Sequence, residues 1–307
     1  MASRIDLEDC LTWEEDLPRP QWDLLASYVE QLPDEQRREA WYGLVQQWVA
    51  RLAESLGPQY DQYVTRTITL LSPPTSPAPP RLVELAQACR SSLEYLLPGI
   101  ADFHDHSSLI VILDDEETYY RYLSAFYPEG EHGASAGVCI REGHPHIAIR
   151  NYRTTSIGRT LAHELTHASL THLELPQWIE EGLAQMFEHE VGGADDFALT
   201  SRDAAKHKAY WGQHGLDDFW RGDGFNRSGR VQTLSYQLAD VLMRILLEDH
   251  KPRWFGLSKG KQRELMAFLR EARVEDCGEE AARTHLGFGL GDRASKFLGP
   301  GQWDVSI

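Results

Sequence analysis

Apolar residues recur at helical spacing early in the chain: Trp41, Leu44, Val45, Trp48, Val49 and Leu52 are mostly three or four apart, which gathers them on one helix face. With Pro33-Asp34 as a break, residues 20–56 read as two helices. A β-like run, Tyr63 to Leu71, comes next. It leads into Ser72 to Pro80, whose five prolines read as a loop or linker. The pattern then predicts a helix from about Arg81 to Leu97, the apolar strand Leu109 to Leu113, and a helix begun by Asp114-Asp115 that runs through Tyr122 and Phe126. Two more strands, Ala136 to Ile140 and His146 to Arg150, flank Glu142-Gly143, which reads as a hairpin turn. From residue 156 onward the spacing is helical, with helices over roughly 156–173, 177–190, 230–249 and 260–273. Strands first and helices after is an α+β order, and no internal repeat interrupts it. The expected organisation is a helical N-terminal region over 1–57, a main domain over 58–295 that includes the C-terminal helices, and a tail over 296–307.

The composition changes this picture little: 42% hydrophobic and 25% charged residues are the proportions of a globular chain with a sizeable core. The charge balance says more. Lys plus Arg number 30 against 47 Asp plus Glu, a formal net charge of -17, which opposes attraction to phosphate backbones and anionic lipid. No nucleic-acid partner and no membrane partner are expected. Cys10, Cys89, Cys139 and Cys277 stand far apart without a CxxC pair, as expected of thiols in a reducing compartment. The N-terminus is acidic and lacks a secretory apolar core, so the expected location is the cytoplasm.

Candidate chemistry is concentrated in Leu161-Ala-His163-Glu164-Leu165-Thr166-His167-Ala168, an HExxH pattern inside a predicted helix that Thr155 or Ser156 could cap. Residues four apart on a helix lie about 40° apart around the axis and one turn along it, so two imidazoles can meet one ion at about 2.0–2.1 Å. Glu164 is displaced about 100° from His163, able to reach a water on that ion without being a ligand. A third ligand is needed, because the pentapeptide alone is short. Past Pro176 the next helix reads Gln177-Trp-Ile-Glu180-Glu181-Gly182-Leu-Ala-Gln-Met-Phe-Glu188, and a helical hairpin can set Glu181 opposite the histidines. Glu180 or a more distant acid is open on spacing alone.

HELTH followed by WIEEGLAQMFE resembles the gluzincins, especially bacterial peptidase MA-like domains, in which HExxH is followed by WxxEGxA. The resemblance covers roughly residues 60–295, with only the zinc motifs specific, and implies a zincin-like metallopeptidase domain: a small mixed sheet followed by active-site helices. It makes the Glu before Gly, here Glu181, the third ligand of one zinc ion beside His163 and His167. Leu234-Ser235-Tyr236-Gln237-Leu238-Ala239-Asp240 is similar to a family segment whose Tyr faces the zinc, which implies Tyr236 as an oxyanion donor. The gap from His167 is shorter than in the zinc aminopeptidases, and Gly133 to Gly137 offers no acid to read a free amine. The expected activity is therefore zinc-dependent peptide-bond hydrolysis by an endopeptidase of narrow specificity acting on a peptide or protein substrate. Zinc acidifies water and Glu164 takes the proton. The alternative from another class is a non-catalytic zinc-binding scaffold or interaction module on the same fold, which retention of Glu164 opposes.

Other suggestive stretches read as bland. His172 follows His167 by five residues and without the metzincin glycine, so it is expected at the surface. His104-Asp105-His106 and His144-Pro145-His146 are expected as solvated surface rather than as metal clusters. Gly222 to Gly229 lacks the Lys-Ser/Thr ending of a phosphate loop and reads as a flexible loop near the cleft. The strand His146 to Arg150 is the expected edge for pairing with an extended peptide.

Overall fold

The computed structural model describes residues 6–74, 79–103, 107–128, 135–151, 157–191, 200–250 and 259–306. The predicted caps Thr155 and Ser156 and the triplet His104-Asp105-His106 lie outside the described residues. The class is mixed α and β, with a five-stranded sheet. The chain divides into two compact units, residues 1–91 with 103–168, and residues 92–102 with 169–307.

The first unit opens with a short 3₁₀ turn, Leu7–Cys10, and a hairpin of β1 (Leu11–Glu14) and β2 (Leu17–Pro20), followed by α1 (Trp22–Glu30) and α2 (Asp34–Leu56). The sheet is built from β3 (Asp61–Val64), β4 (Ile68–Ser72), β5 (Ser108–Leu113), β6 (Gly137–Ile140) and β7 (His146–Arg150), with α3 (Pro79–Leu96), α4 (Glu116–Ser124) and α5 (Ile157–Leu170) interleaved. Its strand order is β3-β4-β5-β7-β6, parallel at β4/β5 and β5/β7 and antiparallel at both ends.

Alternation along the strands sorts the core. Leu109, Val111 and Leu113 of β5, with Ala148 of β7 and Val138 and Ile140 of β6, join one apolar cluster with Trp48, Val49 and Leu52 of α2 and with Tyr119 and Tyr122 of α4. Residues one position away, Ile110, Ile112, Ile147 and Ile149, are buried as well, so β5 and β7 are apolar on both faces, as central parallel strands must be. The tryptophan stripe of α2 is core: Trp48 is buried and its indole N–H donates to Pro18 O at 3.0 Å.

Three expectations about this unit are corrected. The run Tyr63 to Leu71 is two antiparallel strands, because Thr65 turns the chain: its hydroxyl accepts from Ile68 N at 3.0 Å and its N–H donates to Ile68 O at 2.8 Å. Two of the prolines read as loop or linker, Pro79 and Pro80, instead fall in the first turn of α3, where a missing N–H costs nothing. The strand expected at the edge, His146–Arg150, is interior, held between β5 and β6. The edge strand on that side is β6. The Glu142-Gly143 turn forms with Gly143 at φ +68°, a conformation that favours glycine.

The second unit is helical. It continues from α6 (Gln177–Val191) through α7 (Ser201–His214), the short α8 (Asp217–Trp220) and α9 (Asp223–Asn226), α10 (Arg230–His250) and α11 (Lys259–Glu271) to α12 (Glu279–Ala281), a π turn over Ala282–Leu286, and α13 (Leu290–Leu298). The stretch Gly222 to Gly229, expected as a flexible loop, holds the helical turn α9 with Phe225 buried. Gly222, at φ +89°, makes the bend into it. Helices α6 and α10 are the principal packed pair. Among the described residues no helix is long and apolar enough to cross a membrane.

Candidate metal centre

On α5 the four-residue spacing does what helix geometry requires. The Nε2 atoms of His163 and His167 are 3.1 Å apart, with ring centroids at 4.8 Å and planes at 65°. Two nitrogens bound at about 2.0–2.1 Å to one tetrahedral ion stand about 3.3 Å apart, so the rings are turned toward a common point. Glu164, buried, leaves the helix on a different bearing and packs under the sheet edge. A Cβ placed on Gly137 of β6 would lie 3.1 Å from its Cγ. Thr166 is also buried and returns its hydroxyl to Ala162 O at 2.9 Å, which satisfies it within the helix.

Helix α6 begins at the buried Leu175-Pro176, and Pro176 O receives the N–H groups of Ile179 at 2.9 Å and Glu180 at 3.2 Å. Trp178, fully buried, pins this first turn: its indole N–H donates to Cys277 O at 2.9 Å and its ring meets Trp220 edge-on at 5.3 Å. The glycine after Glu181 has a packing reason. A Cβ on Gly182 would stand 2.7 Å from Ala239 O and 2.5 Å from Met243 Cγ, so only glycine lets α6 approach α10 this closely. Glu-Gly in the sequence is thus one acid plus the clearance that seats its helix.

His163, His167 and Glu181 each offer a ligand atom, and these atoms all lie within 4.8 Å of one another. Among the described residues this is the group of three His, Cys, Asp or Glu side chains able to hold a metal ion, and Glu180, although equally buried, is outside it. Two imidazoles and a carboxylate are a donor set that suits zinc and leaves a fourth position for water. Tyr236 is half-buried on α10, its ring edge-on to Phe225 at 5.2 Å. His172 is exposed, as expected.

His146, expected at the surface, is buried. Its Nε2 is 2.7 Å from the Tyr122 hydroxyl and its Nδ1 2.7 Å from His144 O, with Trp48 and Phe126 edge-on at 5.2 and 5.3 Å. Desolvation lowers its pKa to about 4, so the ring is neutral in the fold. The surface expectation fails at His146 because β7 is buried on both faces, which leaves no solvent-facing side for the ring.

Several polar residues of the second unit escaped sequence reasoning. Asp240 of α10, 1% exposed, accepts from Arg244 Nε at 2.7 Å and pairs with His189 Nδ1 of α6 at 3.2 Å. Burial raises its carboxyl above the ordinary range while Arg244 opposes that rise. His207 of α7 is buried too. It accepts the Trp211 indole N–H at 3.2 Å, which leaves its Nε2 to donate to Gln237 Oε1 at 3.1 Å. One signal for these was available: His189 stands eight residues after Glu181 and Asp240 four after Tyr236, so polar residues continue the same helix faces. The chain matches no protein-family model and no curated protein, so the reading of the site rests on the residues themselves.

Proposed function

We propose that this protein is a zinc-dependent metallopeptidase of the gluzincin type, with a zincin-like, peptidase MA-like domain. The observation that carries the reading is the convergence of His163, His167 and Glu181 within 4.8 Å, with a second acid, Glu164, beside the pair of histidines and outside the ligand group. A purely structural site has no use for that acid and closes its fourth position with another side chain. The three converging residues would hold one zinc ion, which when bound supplies a Lewis acid and acidifies water from a pKa of 15.7 toward about 7.

The chain's own groups do the rest. The Glu164 carboxylate takes the proton of the attacking water and returns it to the departing amine. The Tyr236 hydroxyl donates a hydrogen bond to the oxygen that becomes negative in the tetrahedral intermediate. β6 is one of the sheet's two edge strands, and its first residue lies against α5 at Glu164. An extended peptide adding to β6 as a further strand would carry its backbone past the base, which favours a peptide or protein substrate and internal cleavage. The acidic net charge speaks for a protein working away from nucleic acid and anionic membranes, and we place it in the cytoplasm. The test is Glu164→Gln. Zinc content equal to wild type with peptide cleavage abolished is the expected result, and cleavage unchanged in that variant contradicts the role of Glu164.

A further inference from the structure

Gly137 opens β6 with negative φ: it is absent from the chain's positive-φ residues, so no turn or left-handed conformation demands a glycine there. Space demands it. An ideal Cβ at this position would stand 2.5 Å from Thr160 Cγ2 and 3.1 Å from Glu164 Cγ, with Ala148 O at 3.4 Å. Real Cβ contacts essentially never reach the first distance, and the second would require its neighbour to give by a few tenths of an ångström. Thr160 and Glu164 are one turn apart on α5. The bare backbone of Gly137 is therefore the seat of a single helix face, the one that carries Glu164. Glu164 is 6% exposed, and a stem that buried has little room to retreat.

Resting on the metallopeptidase reading, we propose that Gly137 is a positioning residue for Glu164. The absence of a side chain at the first position of β6 lets α5 seat against the sheet edge and fixes where the carboxylate meets water. A larger residue displaces Glu164 while leaving the convergence of His163, His167 and Glu181 able to hold zinc.

The test compares wild type, Gly137→Ala, Thr160→Ser and the double variant, all loaded with zinc. Thr160→Ser deletes Cγ2, the nearest clashing atom, and keeps the hydroxyl. Cleavage of a quenched fluorescent peptide library, zinc content by plasma mass spectrometry and crystal structures are the readouts. Gly137→Ala is expected to keep its zinc and to hold KM nearly constant while kcat falls by on the order of 10-fold. The acid limb of its kcat-against-pH profile moves, and Glu164 Cγ shifts by a few tenths of an ångström. Thr160→Ser alone behaves as wild type, and in the double variant it restores much of the lost kcat. Should Gly137→Ala not fold, Thr160→Ser against the double variant carries the comparison, with the residual Glu164 contact still lowering kcat several-fold. Unchanged kcat, loss of zinc in Gly137→Ala, no relief from Thr160→Ser, or Glu164 Cγ in its wild-type place each overturns the proposal. Wild type that holds zinc but cleaves no peptide overturns the peptidase reading instead, and the position of Glu164 Cγ in the variant crystals then decides the role of Gly137 by itself.

Discussion

On α5 the candidate base and the histidine before it differ by about 100° of rotation, so chemistry and metal binding can be removed separately. Glu164→Gln is expected to lower kcat by about 10²–10⁴-fold, the ordinary contribution of a general base, with zinc retained. Tyr236→Phe deletes one donor and is expected to lower kcat by on the order of 10²-fold with KM little changed. Steady-state kinetics checks both, and a Tyr236→Phe enzyme as fast as wild type removes Tyr236 from the mechanism. At this scale the candidate group was legible in part. The closeness of His163 and His167 follows from their spacing, and of Glu180 and Glu181, which spacing left open, only Glu181 lies in the group that could hold a metal ion. What was illegible depends on tertiary neighbours. Nothing local distinguishes Gly137, whose clearance from Thr160 exists only once β6 and α5 are packed.

Between elements, the approach of α6 to α10 is set by Gly182, where a Cβ would meet Ala239 O at 2.7 Å. Backbone cannot swing aside as a side-chain end can, so Gly182→Ala is expected to destabilise the protein by about 1–3 kcal/mol in urea unfolding. A midpoint equal to wild type contradicts that packing account. The long helices were legible because their apolar period is sustained: the 177–190 and 230–249 expectations meet Gln177–Val191 and Arg230–His250. The N-terminal hairpin was not. Its turn uses Glu15 and Asp16 at φ +50° and +63° without the Asn-Gly or Gly signal of such turns, and β2 carries Pro18 and Pro20, residues that ordinarily argue against a strand. Edge position was equally hidden, since the order β5-β7-β6 follows from crossovers that no local pattern records.

For the molecule as a whole, the buried His146 ties stability to pH. Its folded pKa, about 4, lies below the ordinary 6.5, so between those values the unfolded chain binds more protons than the native one. Stability is therefore full above about pH 6.5 and declines as pH falls toward 4, by about 3 kcal/mol in all. The groups facing the ring, Tyr122, the His144 carbonyl and Arg19, offer no negative charge to hold a proton there. His146→Phe is expected to flatten that part of the pH profile of unfolding, and a variant as acid-sensitive as wild type contradicts the assignment. The division into two compact units was not legible, because two of its three seams fall inside α3 and α5, where helical spacing runs on unbroken. The mixed α and β class was legible, because strand and helix periods occupy different stretches of the chain.

Metal content by plasma mass spectrometry, on wild type, His167→Ala and Glu181→Ala purified without added metal, tests the central claim most directly. The account predicts near-stoichiometric zinc in wild type and its loss in both variants. A wild type that fails to hold zinc even after reconstitution contradicts it.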